Sequence, residues 1–300
     1  KFQQEALAAK YPGDQLSDDE GDFFIGDLAL SQLPTALQRR YRGRTANELT
    51  LGNVARLRLA KAALGKLYPG RVNGDTVHMV LSTGLPVDHM RGAAELKQAL
   101  IGQHRVKTDT TDFIANVIDV KVMPQPYGTI YRAMLTEKGA INPCHTYTRT
   151  GVLDIGTYTI DAALDDDGEY IDAASGSIEA GTYTAHDAIS IAYERDFGQK
   201  PDLRALDEIM RKKCLRNRGE LIDYSDVVEQ ALAPIRAATL ELATDKWQAG
   251  AAVDVIYVSG GGAPLVYADV KAAYPQAQIV ERAQLANAQG YFNYALFDLS

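Results

Sequence analysis

Cysteine is scarce in this chain: two residues, Cys144 and Cys214, stand seventy positions apart and outside any Cys-x-x-Cys or metal-ligand spacing. That excludes a disulfide framework and a thiolate zinc site, and such usage suits a reducing cytoplasm. The histidines His78, His89, His104, His145 and His186 show no ligand spacing either, so no zinc is expected. No apolar run approaches the roughly 18 residues needed to cross a bilayer, and the first residues form no charged-then-apolar leader. The expectation is a soluble, unsecreted protein with no membrane partner. Positive charge is short as well: 31 Lys and Arg against 39 Asp and Glu leave a formal charge of −8. Without a basic block to track phosphates, direct nucleic-acid binding is not expected.

What is present is ordinary globular composition, with 46% hydrophobic and 23% charged residues over 300 positions. That length suggests about two domains. Apolar spacing predicts a helix over 48–64, then a short buried strand, Val77–Leu81, that ends in a Ser82-Thr83-Gly84-Leu85-Pro86 loop. A helix with Ala93, Leu96 and Leu100 inward follows. Asp112 to Met123 is extended and β-branched until Pro124-Gln125-Pro126 stops it, which delivers Gln125 to an edge. Tyr127 to Leu135 reads as a helix and Gly139 to Gly151 as a polar connection, so the boundary is placed between domains 1–146 and 147–300.

In the second half, Val152 to Asp161 reads as one strand with a central glycine, joined through Asp165-Asp166-Asp167-Gly168 to a second extended run in a hairpin. Helices are predicted over Thr184–Phe197 with Gly198 as C-cap, after Asp202 as N-cap, and from Ser225 to Trp247, where Pro234 should kink or split the element. A buried strand, Val253 to Val258, a glycine turn and a helix begun by Pro264 come next. The last helix carries Leu285, Phe292 and Leu296. This alternation fits an α/β fold with mixed sheets.

Two segments carry chemistry. In Asp154-Ile155-Gly156-Thr157, a glycine inside a strand admits a ligand to the backbone, the Gly156, Thr157 and Tyr158 region can aim donors at phosphate oxygens, and Asp154 suits a hydrated Mg²⁺. The same letters also suit a β-bulge beside an Asp-capped turn. In Ser259-Gly260-Gly261-Gly262-Ala263-Pro264, bare backbone and a helix N-terminus suit a flat ring or a phosphate; a tight strand-to-helix connection is the plain alternative. The turn matches neither the Gly-x-Gly-x-x-Gly fingerprint nor the Walker loop. Asp165, Asp167 and Gly168 imitate part of a calcium loop, but Ala163 and Ala174 stand where acids are required. Arg211, Lys212 and Lys213 form a solvated helix face or reach a nucleotide's edge.

Together these segments resemble the actin-like superfamily, above all plasmid-segregation actins of the ParM type and their archaeal and bacterial relatives. Phe23-Phe24-Ile25-Gly26-Asp27-Leu28-Ala29, Leu81 to Val87 and Val120-Lys121-Val122-Met123-Pro124 are similar to first-domain segments, with Gln125 in the place of the family's catalytic acid. Val152 to Asp161 resembles the second phosphate loop, Ile256 to Pro264 the adenosine motif, and Glu281 to Leu296 the final connecting helix. The resemblance implies two RNase H-like domains around a cleft that binds ATP or GTP with Mg²⁺. It implies Asp154, Gly156, Thr157, Tyr158, Gly181, Lys213, Ser259, Gly260, Gly261 and Gly262 as nucleotide contacts, Asp154 as the residue holding Mg²⁺ through water, and Gln125 as the group orienting the attacking water. It also implies self-assembly into filaments, with an adaptor protein linking them to DNA. A non-polymerising ATPase or kinase and a nucleotide-free assembly protein are the alternatives. The family's first phosphate loop has no counterpart here, so roughly 20 to 30 upstream residues with an Asp-x-Gly turn are expected before Lys1.

Overall fold

The computed structural model describes residues 9–19, 21–32, 53–71, 75–248 and 253–299. Their contacts divide the chain into two compact units, Lys1–Leu81 with Ala94–Lys121, and Ser82–Ala93 with Val122–Ser300. Part of the predicted helix over 48–64, namely 48–52, lies outside the described residues.

The first unit is built on a sheet with order β2-β1-β4-β5-β3. Its elements are β1 (Gln15–Asp18), β2 (Gly21–Phe24), α1 (Gly26–Gln32), α2 (Asn53–Leu67), β3 (Thr76–Leu85), α3 (Ala93–Leu100), β4 (Gly102–Thr108) and β5 (Asp112–Pro124). Alternation sets the buried face of β5: Phe113, Ala115 and Val117 point inward with at most 2% exposure, and Leu16 and Val106 meet them from β1 and β4. At the entry to α1 the buried Asp14 carboxylate accepts from Leu28 N–H at 3.0 Å and pairs with Lys66. Gly26 permits this, since its φ is 57° and a methyl there would meet Asp14 Oδ1 at 2.9 Å.

One expectation changes in this part of the chain. The Ser82-Thr83-Gly84-Leu85 stretch is not a loop but the continuation of β3. Leu85 O accepts from Gln125 N–H at 2.8 Å, and a methyl at Gly84 would overlap the Tyr291 hydroxyl, so this glycine marks a close approach rather than a turn.

The second unit contains α4 (Tyr127–Met134), β6 (Arg149–Ile155), β7 (Ile160–Asp166), β8 (Glu169–Tyr170), β9 (Gly176–Ile178), α5 (Tyr183–Phe197), α6 (Leu203–Lys212), β10 (Cys214–Asn217), β11 (Glu220–Asp223), α7 (Ser225–Trp247), β12 (Val255–Ser259), α8 (Ala263–Ala273), β13 (Ala277–Ile279) and α9 (Ala286–Leu299). Its main sheet runs β13-β12-β6-β7-β8, with β9 also on β7. β12 is parallel to both β6 and β13, whereas β6 and β7 are antiparallel. The sheet is mixed. Buried Leu153, Ile155 and Ile160 from its strands join Ile189, Leu206, Leu232 and Ile235 from the helices in one core.

The hairpin is displaced from its expected place. Val152 to Asp161 is not one strand: the chain reverses at Gly156–Thr159, where Gly156 N–H donates to Thr159 O at 2.9 Å, and Asp154 comes to face Asp161. The Asp165–Gly168 segment closes a second, shorter hairpin. Gly198 and Asp202 cap as expected, at φ 71° and by accepting from Ala205 N–H at 2.7 Å. Pro234 does not split α7, because it sits exposed while Val228, Ala231, Leu232 and Ile235 anchor the buried stripe on either side.

The last helix begins at Ala286, so Leu285 precedes it while Phe292 and Leu296 lie within it. Phe292 is 58% exposed, and α9 turns a small, polar face inward through Ala286, Gly290 and Asn293. The cause is backbone-to-backbone packing against α4: a methyl at Gly290 would overlap the Gly128 carbonyl, and one at Gly128 would meet Asn287 Cα at 2.6 Å. Small residues are the only ones that let two helices approach so closely. Gly290→Ala is therefore expected to lower the unfolding free energy of the full chain by about 1–3 kcal/mol through overpacking. Urea denaturation would show it, with Gly92→Ala, whose methyl would have only Leu85 Cδ1 within reach at 4.0 Å, as the unchanged control.

Candidate functional site

Two chain reversals meet at the carboxyl ends of adjacent parallel strands. β6 ends in Ile155 and enters the Gly156–Thr159 turn; β12 ends in Ser259 and enters Gly260-Gly261-Gly262. Their register pairs Ser259 with Asp154. The ends of parallel strands are where α/β sheets commonly bind ligands, because the loops diverge there and the following helix aims its N–H groups inward.

Asp154 sits in the gap with 6% exposure. Its Oδ1 accepts from the wholly buried Ser259 hydroxyl at 3.4 Å, and its Oδ2 accepts from Asn287 Nδ2 at 2.7 Å. Across the hairpin, Asp161 is 1% exposed and accepts from Val87 N–H at 3.0 Å, from Thr159 Oγ1 at 2.7 Å and from Ser177 Oγ. Neither carboxylate has a basic side chain against it among the described residues. Burial, and then the neighbouring Asp161, push the Asp154 carboxyl up to about 6. Burial raises Asp161 as well. This strand-end pair is short of positive charge.

That shortage bears on the metal. Among the described residues no cluster of three or more His, Cys, Asp or Glu could hold an ion alone. A buried carboxylate without a basic partner would suit a hydrated divalent cation that takes its remaining ligands from water and phosphate oxygens. The nearest turn fits the phosphate. Thr157 is half-buried, and neither its N–H nor its hydroxyl has a partner among the described residues, while the Thr157 and Tyr158 carbonyls accept from Tyr183 and Gly181 N–H at 2.9 and 3.0 Å. The turn is thus held from its carbonyl side against the start of α5, with Thr157 donors left over. Gly181 is buried beneath it with its N–H already used.

The three glycines of the second turn are not equivalent. A methyl at Gly260 would overlap Asp154 Oδ1 and the Ile155 carbonyl, and one at Gly262 would meet Thr182 Cγ2 at 2.7 Å. Protein packing alone demands those two. Gly261 is exposed, and a methyl there would have only Gln284 within reach, at 3.8 Å. It is bare backbone facing outward. Lys213 stands apart on the surface, ion-paired with Glu229 at 2.6 Å; Glu229 pairs in turn with Arg236, whose Nε donates to Leu265 O in the first turn of α8 at 3.1 Å. Gln125, at the end of β5, is half-buried. Its carbonyl accepts from Tyr291 Oη at 3.0 Å, and its side-chain amide has no partner among the described residues.

Family models described as "Actin like proteins N terminal domain" and "Archaeal actin homologue MreB-like, C-terminal" match residues 4–128 and 152–272. This is an actin-like protein. Its fold is similar to that of the pCBH ParM non-polymerisable quadruple mutant, at 21% identity and a TM-score of 0.72 over 94% of this chain and 85% of that one. A 15-stranded ParM filament from Clostridium botulinum gives 22% identity and a TM-score of 0.70 over 93% and 83%. An archaeal actin homologue in complex with ADP gives 19% and 0.66 over 81% and 77%. No curated protein matches the chain. No helix among the described residues is long and apolar enough to cross a membrane.

Residue-by-residue reading did not find Asp161, Ser177, Asn287 or Tyr291. Asp161 had a signal, because it mirrors Asp154 about the Gly156–Thr159 turn. Asn287 and Tyr291 had none, since 133 positions separate Asn287 from the carboxylate it touches.

The raised Asp154 value makes a stability prediction for this actin-like chain without nucleotide. A carboxyl that ionises near 6 when folded, against its usual 3.8, stabilises the fold at low pH and loses that contribution as pH rises through about 6. The loss is on the order of 3 kcal/mol. Melting temperature in chelator should fall between about pH 4.5 and 7 in the wild type. Asp154→Asn should show a shallower fall and melt higher at neutral pH.

Proposed function

We propose that this actin-like protein binds ATP or GTP with Mg²⁺ in its second unit, hydrolyses it, and assembles into filaments. The observation that carries the reading is the buried, cation-deficient Asp154 carboxylate between two glycine turns at neighbouring parallel strand ends. When bound, Mg²⁺ neutralises charge on the transferring phosphoryl group. The chain's own contributions are Asp154 behind the metal's water, Thr157 donors toward phosphate, and the bare backbone of Gly261 against the base or sugar. Gly156 and Tyr158 shape the phosphate turn, Gly181 supports it, and Ser259, Gly260 and Gly262 set the second turn against it. Lys213 is assigned to the nucleotide's outer edge, and it stands on the surface at the far end of the Glu229–Arg236 chain that reaches Leu265 O in α8.

Gln125 orients the attacking water. Its free amide can both donate and accept, and a glutamine is too weak a base to take the proton itself. Slow turnover until assembly closes the site follows from that. The similar proteins, a ParM filament and an archaeal actin homologue in complex with ADP, support self-assembly and nucleotide binding as this chain's role. Plasmid or other DNA segregation is the task this reading assigns, in the cytoplasm, with domains dividing at 146/147. A formal charge of −8 assigns DNA contact to an adaptor protein.

Sedimentation and phosphate release from the full chain, with Mg²⁺ and either nucleotide, test the reading. A chain that neither pellets nor releases phosphate with ATP or GTP would leave it without support, and tight salt-sensitive binding to plasmid DNA would remove the adaptor. Gln125→Ala should lower hydrolysis about tenfold or more with nucleotide affinity within a few-fold, whereas Asp154→Ala should weaken both. Gly261→Val should weaken nucleotide binding about tenfold or more while stability shifts by no more than about 0.5 kcal/mol.

A further inference from the structure

Two side chains one helical turn apart on α9 reach the two residues to which the hydrolysis reading assigns chemistry. Asn287 Nδ2 donates to Asp154 Oδ2 at 2.7 Å, and Tyr291 Oη donates to the Gln125 carbonyl at 3.0 Å. Residues four apart share a helix face, so one rigid element grips both. The Asn287 amide is itself oriented. Thr129 Oγ1, in α4 just beyond Gln125, donates to Asn287 Oδ1 at 2.8 Å. An ionised carboxylate only accepts, so Nδ2 has to face Asp154, and the Thr129 hydroxyl holds the amide that way round.

The helix carrying this pair has no room to slide. Gly128 and Gly290 bring α4 and α9 to backbone contact, and Gly84 leaves the Tyr291 hydroxyl the space a methyl would fill. A side chain on such an element transmits its position rather than relaxing.

We infer that Asn287 and Tyr291 are positioning residues, and that with Thr129 they fix the water-orienting Gln125 against the metal-holding Asp154. The inference rests on the proposed hydrolysis. Neither residue touches the reacting atoms. Losing either bond leaves the nucleotide contacts in place and lets Gln125 and Asp154 drift apart, so the loss falls on kcat rather than on KM, and displacements well under a bond length are enough to matter.

Three conservative variants of the full chain separate positioning from folding. Thr129→Val keeps the shape and loses the donor, Thr129→Ser keeps the donor, and Tyr291→Phe loses only the hydroxyl. Thr129→Val and Tyr291→Phe are each expected to lower kcat about tenfold with KM within about threefold, while Thr129→Ser restores the rate to within about twofold. In the nucleotide-free chain, hydrogen exchange should quicken over 122–128 in Tyr291→Phe and over 152–156 in Thr129→Val, with α7 unchanged. Wild-type rates in both variants would overturn the inference, as would exchange that quickens throughout the chain together with a lower melting temperature. A wild-type chain that turns over no nucleotide sinks the hydrolysis reading alone. Exchange then decides the clamp: local quickening supports it and unchanged exchange removes it.

Discussion

A carboxylate taken out of water loses several kcal/mol of hydration, and a fold tolerates one only where hydrogen bonds or a counter-ion replace the shell. Asp154 is in that position with two neutral donors, Ser259 and Asn287, and with a second buried carboxylate, Asp161, paired to it across the hairpin. Much of the second unit is arranged around this constraint. β12 lies parallel to β6 in the register that brings Ser259 alongside, α9 approaches α4 closely enough for Asn287 to arrive, and Gly260 is glycine because the Asp154 carboxylate occupies the space of its side chain. Among the described residues no basic side chain neutralises this charge, and burial together with Asp161 raises the Asp154 carboxyl.

Glycine has several separate jobs here. At Gly128 and Gly290 it sets the distance between two helices; at Gly260 and Gly262 it lets a turn fold back over the end of β6; at Gly84 it makes way for a tyrosine. At Gly261 no protein atom requires it. Three consecutive glycines therefore combine two structural needs with one opening. A motif reading that treats the triplet as a uniform ligand platform misses that division, because only the positions of Ile155, Asp154 and Thr182 distinguish its members.

Asp161 links a distant piece of chain to the same hairpin. By accepting from Val87 N–H it ties the segment after β3 to β7, and Ser177 on β9 supports it from the other side. The segment 82–93 belongs by its contacts to the second unit although the strand leading into it begins in the first. A single buried carboxylate thereby joins three stretches that are far apart in sequence, a role invisible in the local pattern Ile160-Asp161-Ala162.

Much of this architecture was legible in the letters. Caps at Gly198 and Asp202, the strand ending at Pro124, and the glycine turn followed by Pro264 depend on local sterics and nearest-neighbour hydrogen bonds, so residue type and spacing suffice to place them. The actin-like fold was legible because its motifs keep their order along the chain. The Ser82–Leu85 stretch and the Val152–Asp161 run were misread for a common reason: local propensity was overruled by ladder partners or a close approach from elsewhere. The inward polar face of α9 and the reach of Asn287 and Tyr291 to Asp154 and Gln125 were decided by tertiary structure alone. Contacts made across more than 130 positions obey distance in space, and no periodicity or spacing rule carries that information along the chain.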